Sequence, residues 1–258
     1  MKILLIISSS IAAIKCEEIF NYLKKNNIDV DCIITENTKK IINYKKLKKI
    51  ISGNLYDDKS ENNEMLHIKL SRKADLIVIC PATANTIAKY ANGYADNLAS
   101  TTLIASNKQV VCVPAMNSEM WNNKINQINV KLLKDIGVEF VGPMYGKLSC
   151  GEIGLGRLVT PKKIFENILV KLNKTKIFKG KKCIVTAGPT IEQVDSVRYL
   201  SNYSSGKQGY EIANQLALSG ASVTLVSGPT NLQAPFNVKL IKVKTAKDML
   251  IVVKKIKK

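Results

Sequence analysis

The run Lys2-Ile3-Leu4-Leu5-Ile6-Ile7-Ser8 is apolar almost without interruption, as expected of a strand that is buried on both faces. Further strands are predicted along the chain, at residues 29–35, 75–81, 110–114 and 138–141. Helical spacing of apolar residues lies between them, at residues 11–25, 84–91, 97–105 and 120–136. Strands of Ile, Val and Leu that alternate with helices predict a doubly wound α/β fold, in which helices cover both faces of a parallel sheet.

The pattern restarts after a polar, basic segment that resembles a linker. A helical run ends near Asn173, and new strands and helices follow, at residues 183–187, 207–218, 223–227, 238–243 and from 246 onward. A doubly wound domain usually needs five or more strands, so these roughly 80 residues predict an incomplete Rossmann-like α/β domain. The predicted organisation is a first domain at 1–175, a linker at 176–182 and a second domain at 183–258.

Composition excludes several classes of function. The 258 residues are 46% hydrophobic and carry a formal net charge of +19. The basic residues are mostly scattered lysines, with few basic–aromatic clusters, so no nucleic-acid partner is expected. No apolar run approaches the ~18 residues of a membrane span, so no membrane association is expected either.

The chain contains six cysteines, and none of them forms a CxxC pair. Zinc-ribbon and thioredoxin-like chemistry are therefore not expected, and no metal site is predicted in the first domain. Cys150 lies in a glycine-rich segment. The other five are predicted to be small buried hydrophobic residues in a reducing cytoplasm; these are Cys16, Cys32, Cys80, Cys112 and Cys183.

Hydroxyl-rich segments follow the first two strands. Ser8-Ser9-Ser10 comes after the first, and Thr35-Glu36-Asn37-Thr38 after the second. Ligands of open parallel sheets bind outside the carboxyl ends of the strands, where hydroxyls and free helix N–H groups suit a phosphate. Each segment taken alone is also what an ordinary helix N-cap looks like. The chain has no GxGxxG, so the usual dinucleotide fingerprint is absent.

Asparagines follow the next two strands, each after a Pro-Ala pair. They are Asn85 in the run 81–86 and Asn117 in the run 114–121. An amide at such a place can donate to and accept from a planar heterocycle or a carboxylate, although turn formation alone also favours asparagine. The segment 148–158 is predicted to be a glycine-rich loop, either a mobile lid that carries Cys150 or a plain surface loop.

His67 is the only histidine of the chain. Imidazole is the side chain best suited to proton transfer near neutral pH, so acid–base chemistry by a histidine depends on this residue. A surface or capping histidine is the alternative interpretation.

These residues carry a resemblance to a known family. The segments MLHIKLS (65–71), PATANTIAK (81–89), ADNLASTT (95–102), PAMNSEMW (114–121) and SCGEIGLGRL (149–158) resemble the flavin-dependent phosphopantothenoylcysteine decarboxylases. That family belongs to the homo-oligomeric flavin-containing cysteine decarboxylases, and the resemblance covers about residues 1–175. It implies a flavodoxin-like sheet, FMN as cofactor, phosphopantothenoylcysteine as substrate and a homotrimer or dodecamer.

The resemblance also implies roles for individual residues. His67, Asn117 and Cys150 match the family's catalytic positions: His67 assists proton movement, Asn117 holds the substrate, and Cys150 protonates an enethiolate. In the family the substrate thiol is oxidised to a thioaldehyde, whose C=S group accepts the electrons released when CO2 leaves. The implied FMN-phosphate contacts are Ser9, Ser10, Thr35 and Thr38, and the implied contacts to its ring or ribityl chain are Ala84, Asn85 and Thr86. The implied substrate and lid residues are Met116, Gly151, Gly154, Gly156 and Arg157.

The second domain is similar to the start of phosphopantothenate–cysteine ligase. The similarity rests on TAGPTIEQVDSVRYLSNYSSGKQG (186–209) and VTLVSGP (223–229). It implies a bifunctional coenzyme A biosynthesis protein that uses CTP and Mg²⁺ in its ligase reaction. The implied nucleotide-loop residues are Gly188, Asn202, Ser204, Ser205, Gly206 and Lys207. The family extends beyond the last element of this chain, so we expect that this chain alone does not complete the ligase reaction.

One departure from the family lies in the first loop, where Ser9-Ser10 replaces a frequent Gly-Gly. A serine at position 9 is expected to narrow the loop and to affect FMN affinity. Two alternatives remain at this point. One is another flavoprotein of the superfamily, such as a peptidyl-cysteine decarboxylase or a flavin prenyltransferase. The other is a non-catalytic or degenerate flavin-binding homologue.

Overall fold

The computed structural model describes residues 1–60, 65–172 and 177–257. It divides into two units, Met1–Phe165 and Glu166–Lys258. The predicted end of the last helical run of the first domain near 173, the domain end at 175 and the linker start at 176 lie outside the described residues. The domain boundaries therefore stay a prediction.

Within the described part of unit 1, six strands form one parallel sheet. They are β1 (Lys2–Ile7), β2 (Asp29–Ile34), β3 (Leu55–Tyr56), β4 (Leu76–Ala82), β5 (Val110–Pro114) and β6 (Glu139–Phe140). Their order in the sheet is β3-β2-β1-β4-β5-β6. Without the short edge strand β3 this is the flavodoxin order, which confirms the predicted fold class. The sequence did not reveal β3, because two residues are too few to show a periodicity.

Helices cover this sheet. They are α1 (Cys16–Lys25), α2 (Tyr44–Ile50), α3 (Leu66–Lys73), α4 (Ala84–Ala91), α5 (Leu98–Ile104), α6 (Ser118–Asn122) and α7 (Lys124–Asp135). A further helix, α8 (Pro161–Leu172), contains the boundary between the two units. The predicted helix at 11–25 begins as a 3₁₀ turn, Ile11–Lys15. The predicted helix at 120–136 is two helices, because the backbone of Asn123 is not helical and its side chain accepts from Ile125 N at 2.9 Å to begin α7.

The predicted glycine-rich loop is in part a β-hairpin. Strands β7 (Met144–Lys147) and β8 (Ile153–Arg157) pair antiparallel, so only residues 148–152 form the tip. The prediction of a loop over 148–158 was therefore wrong for its second half. Glycine has a low strand propensity, and the alternation Ile-Gly-Leu-Gly-Arg hid the strand for that reason.

Unit 2 has its own sheet. Its elements are β9 (Lys182–Ala187), β10 (Glu192–Gln193), β11 (Tyr199–Leu200), α9 (Lys207–Leu218), β12 (Ser222–Ser227), β13 (Val238–Lys242) and α10 (Ala246–Lys257). Over residues 177–257, three strands pair in parallel in the order β13-β12-β9, and β10 and β11 form a separate antiparallel pair. The sequence predicted the parallel strands and both helices to within a residue, and it did not predict the β10–β11 pair. Cys183 of β9 is half-buried and not fully buried as expected.

A buried carboxylate lies in the middle of β2. The Asp31 side chain is 3% exposed and pairs with Lys2 Nζ at 2.8 Å, and its Oδ1 accepts from Asn54 N at 2.9 Å. Burial lowers the pKa of the Lys2 ammonium, but the hydrogen bond and charge of Asp31 outweigh it, so that this pKa stands above its usual value. Asp31 therefore ties the edge of the sheet to its centre.

We expect Asp31→Ala to lower the free energy of unfolding by about 2–4 kcal/mol, because it leaves Lys2 and Asn54 N without their partner. Urea denaturation at pH 7 measures this, with the exposed Asp29→Ala on the same strand as the control. Because the pKa of Lys2 is raised by folding, the stabilisation is complete below the usual lysine pKa of about 10.4 and is lost as the pH rises through the folded-state value. Equal destabilisation by the two variants would contradict this role.

Candidate functional site

Three hydroxyl groups meet where β1 and β2 end. Ser9 Oγ lies 2.9 Å from Thr35 Oγ1 and 3.3 Å from Thr38 Oγ1, and the two threonine oxygens are 2.9 Å apart. Thr38 is fully buried, and its hydroxyl donates to Ile7 O at 3.1 Å. Three of the four residues that were assigned to a phosphate from the sequence are thus in contact.

The hydrogens of this cluster decide what it can bind. Thr38 uses its single hydrogen on Ile7 O, which leaves only the hydrogens of Ser9 and Thr35 for three oxygen–oxygen contacts. Those two hydrogens can turn toward an anionic oxygen while Thr38 stays in place. Ser10, the fourth assigned residue, instead accepts from Ala12 N at 3.3 Å and begins the 3₁₀ turn.

A cavity of about 500 Å³ opens beside the hydroxyl cluster. This volume lies within the ~300–1,000 Å³ that is usual for small-molecule sites. Its lining includes six of the residues predicted from the sequence, which are Ser9, Ser10, Thr35, Asn85, Thr86 and Met116. Polar groups of α5 and the side chains of Asp58 and Lys89 complete the wall. We call this space the hydroxyl cavity.

The turn before residue 60 fixes one side of the hydroxyl cavity. Asp58 Oδ1 accepts from Leu98 N, the first residue of α5, at 3.0 Å. Its neighbour Asp57 pairs with Lys39 Nζ at 2.7 Å. Partial burial raises the pKa of Asp57, but hydrogen bonds from Lys39 and Ser60 outweigh it and hold the pKa below its usual range. This ion pair holds the turn against the segment that carries Thr38.

A second cavity of about 730 Å³ adjoins the first, and the two share Ser10, Ala115 and Met116 in their walls. Asn117, Cys150, Gly156 and Arg157, all predicted from the sequence, line it. Lys15 and Lys147 also line it, and the sequence gave no sign of their role, because each is an ordinary exposed lysine of a helical or strand segment. We call this space the thiol cavity.

Asn117 and Cys150 are in contact in the thiol cavity. Asn117 begins α6, with its Oδ1 accepting from Glu119 N at 2.8 Å. Its Nδ2 lies 3.6 Å from Cys150 Sγ and donates to Glu152 Oε2 at 2.6 Å. Two residues 33 positions apart in sequence are thereby brought together as predicted, and Glu152 joins them. Sequence reasoning missed Glu152, although it stands in the same glycine-rich segment.

The glycines of β8 allow the hairpin to approach the Asn117 segment. A Cβ on Gly156 would lie 2.2 Å from Met116 O, and one on Gly154 would lie 2.0 Å from Ser118 Oγ. Met116 N donates to Gly156 O at 3.0 Å, which joins β8 to the segment after β5. Gly154 and Gly156 therefore act through close backbone packing, and Gly151 turns the tip of the hairpin with a φ of 93°.

Other predicted residues lie outside these two cavities. Among the described residues, His67, Ala84, Gly151 and Gly154 line neither of them, and Thr38 lies beneath the lining hydroxyls. His67 is half-buried on α3, and α3 packs against α5, a helix that lines the hydroxyl cavity. His67 therefore does not line the cavity that Asn117 and Cys150 share.

A third cavity, of about 580 Å³, lies in unit 2. Its lining includes all six nucleotide-loop residues implied by the resemblance, which are Gly188, Asn202, Ser204, Ser205, Gly206 and Lys207. Gly188 and Gly206 have φ values of 75° and 74°, and a Cβ on Gly206 would lie 3.3 Å from Gly188 Cα. The loop after β9 and the start of α9 therefore pack closely, with free helix N–H groups and hydroxyls that suit a phosphate.

No group of three or more His, Cys, Asp or Glu side chains in residues 1–60, 65–172 and 177–257 has the arrangement of a metal site. No helix in that part of the chain combines the length and the apolar character that crossing a bilayer requires.

Comparison with known proteins identifies relatives of both units. A family model described as Flavoprotein matches residues 1–173, and one described as the DNA/pantothenate metabolism flavoprotein C-terminal domain matches residues 178–258. The chain is 38% identical over 252 residues to the coenzyme A biosynthesis bifunctional protein CoaBC of Vibrio parahaemolyticus. That alignment covers 96% of this chain and 63% of the relative, so the chain spans less than two thirds of the relative's length.

Solved structures resemble the larger part of the chain. A PPC decarboxylase mutant complexed with pantothenoylaminoethenethiol has a TM-score of 0.61 and 30% identity, over 65% of this chain and 95% of that one. The FMN binding protein AtHal3 has a TM-score of 0.58 and 31% identity, over 65% of this chain and 94% of that one.

Proposed function

This chain belongs to the Flavoprotein family, and we propose that it binds FMN and decarboxylates phosphopantothenoylcysteine to phosphopantetheine in coenzyme A biosynthesis. The observation that carries the proposal is the contact of Asn117 with Cys150 in a cavity that adjoins a hydroxyl-lined one. Similarity to bifunctional CoaBC and to PPC decarboxylase supports the same reaction. We take residues 1–175 as the decarboxylase domain, 176–182 as the linker and 183–258 as the ligase-type domain.

The hydroxyl cavity fits FMN. Ser9 and Thr35 have hydroxyl hydrogens available for a phosphate, and Asn85 and Thr86 supply amide and hydroxyl groups for the ribityl chain or ring. Ser9, which was expected to narrow the loop, directs its hydroxyl to Thr35 and Thr38, where it adds a donor for the phosphate. When bound, FMN supplies two-electron oxidation of the substrate thiol and the later return of those electrons.

The residues of the thiol cavity hold the substrate and move protons. When the carbon–carbon bond to CO2 breaks, its electron pair must move onto an electron-accepting group. The oxidised sulfur group next to that bond accepts this pair. The Asn117 amide can hold the carboxylate that leaves. Cys150 Sγ lies next to that amide and is exposed, so it can give its proton to the enethiolate that forms. Lys15, Lys147 and Arg157 attract the phosphate and the carboxylate of the substrate.

His67 is assigned to proton movement during the oxidation of the thiol. Because it lines neither cavity of the single chain, we propose that a homotrimer, or a dodecamer assembled from trimers, completes the site. The exposed side of α7 supports self-association, since Ile125, Ile128 and Leu132 are 67%, 61% and 44% exposed and lie on one face.

Unit 2 is proposed to bind the cytidine nucleotide CTP with Mg²⁺ through the loops around Gly188 and Ser204–Lys207. The hydroxyls and backbone N–H groups at the start of α9 support a phosphate there. The proposed location is the cytoplasm, because the buried free thiols Cys16, Cys32, Cys80 and Cys112 suit a reducing compartment.

Turnover tests the reaction. Purified chain with FMN is expected to convert phosphopantothenoylcysteine to phosphopantetheine, detected by mass spectrometry as the loss of CO2. Cys150→Ser is expected to slow product formation by about 10²–10⁴-fold, the usual contribution of a positioned proton donor. Cys183→Ser, in unit 2, is the matched control and is expected to keep the wild-type rate. A wild-type protein that binds FMN and forms no product would favour a non-catalytic flavin-binding homologue instead.

Self-association is tested on α7. Ile128→Glu is expected to convert an oligomer to smaller species in light scattering after size exclusion, because it places a charge in an apolar contact. The control is Lys131→Glu, because Lys131 is exposed on the same helix. This substitution changes the charge more than Ile128→Glu does, and it removes no apolar side chain. A wild-type monomer, or identical masses for both variants, would refute the proposed interface.

A further inference from the structure

Both donor hydrogens of the Asn117 side-chain amide already have partners. Its oxygen accepts from Glu119 N at 2.8 Å and holds the start of α6. Its nitrogen donates to Glu152 Oε2 at 2.6 Å and lies 3.6 Å from Cys150 Sγ. An amide nitrogen has two hydrogens, so these contacts occupy both. A substrate carboxylate can bind the Asn117 amide only after one of these partners has left.

Glu152 has the same functional group as the ligand that we assign to Asn117. We propose that the Glu152 carboxylate occupies the substrate-carboxylate position before binding, leaves it as substrate enters, and returns to it after CO2 is lost. This inference rests on the proposed function, because it takes phosphopantothenoylcysteine as the substrate. Glu152 does not touch the reacting atoms, so its role is that of a competing ligand within the protein.

The position of Glu152 allows the exchange. The residue is exposed at the tip of the β7–β8 hairpin, where its backbone oxygen accepts from Leu148 N at 2.8 Å. The side chain can therefore swing away from Asn117 while the hairpin keeps its backbone hydrogen bonds. Lys147 and Arg157, on the two strands of that hairpin, line the thiol cavity together with Asn117, so their positive charges favour a carboxylate near the Asn117 amide.

The exchange has a thermodynamic consequence. A carboxylate ligand binds only those molecules in which Glu152 has left Asn117. Its apparent dissociation constant is therefore the intrinsic one divided by the fraction of such molecules. The hydrogen bond from Asn117 to an ionised carboxylate is charge-assisted and therefore about twice as strong as a neutral one. A product without the carboxylate does not compete with Glu152. The return of Glu152 to Asn117 therefore opposes rebinding of substrate and leaves the affinity for product unchanged.

A matched pair of ligands isolates this effect. Phosphopantothenoylserine has a hydroxyl in place of the thiol and keeps the carboxylate, and the corresponding ethanolamide lacks only the carboxylate. Both are titrated into the full chain with bound FMN, and the flavin absorbance change reports binding at this site and not in unit 2. Glu152→Gln keeps the shape of the side chain and removes its charge. Glu119→Gln removes a charge close by without removing the carboxylate that Asn117 binds.

We expect Glu152→Gln to tighten phosphopantothenoylserine binding by about three- to tenfold and to leave the ethanolamide within about twofold of wild type. Glu119→Gln is expected to leave the dissociation constants of both ligands within about twofold of wild type. Equal tightening of both ligands would indicate a general charge effect and overturn the inference, as would no change or weaker binding of the serine ligand. A wild-type protein that neither binds these ligands nor decarboxylates phosphopantothenoylcysteine would instead refute the proposed function. Equal melting temperatures of the variants exclude a folding defect.

Discussion

The site depends on how the ends of two central strands are joined. β1 lies between β2 and β4 in the sheet. The chain continues from β1 to β2 on one side and from β4 to β5 on the other. Ser8, directly after β1, donates to Pro81 O of β4 from both its N at 3.3 Å and its Oγ at 2.6 Å. The carboxyl ends of the two strands are thereby held together, at the place where open α/β sheets bind ligands.

Both cavities of unit 1 are built outward from this junction. The residues that follow β1 and β2 form the hydroxyl cluster on one side. Ala115 N, after β5, donates to Ala82 O at the end of β4 at 3.0 Å, and this tie places Met116 and Asn117 on the other side. The β7–β8 hairpin then packs on Met116 through Gly156 and brings Cys150 and Glu152 to the Asn117 amide. A shift of one strand end would separate the hydroxyl cluster from Cys150.

Much of this arrangement follows from the sequence, because strand ends and turn residues are local signals. The apolar runs located the parallel strands other than β3, and the hydroxyls at 9, 35 and 38 were expected at one edge of the sheet, where they meet. What the sequence did not reveal depends on contacts between distant segments. Glu152, Lys15 and Lys147 carry no local sign of function. Only the fold brings Glu152 to the Asn117 amide and the two lysines to the lining of the thiol cavity. The strand over 153–157 was hidden because its glycines are there for close packing and not for flexibility.

The central claim is that the hydroxyl cluster of Ser9, Thr35 and Thr38 holds the phosphate of FMN. Its most direct test compares the binding of FMN with that of riboflavin, which lacks only the phosphate, by flavin fluorescence with the purified chain. Two hydrogen bonds to a charged group contribute about 1.5–3 kcal/mol each, so FMN is expected to bind at least about 100-fold more tightly. Equal affinities for FMN and riboflavin would contradict a phosphate site at this edge of the sheet.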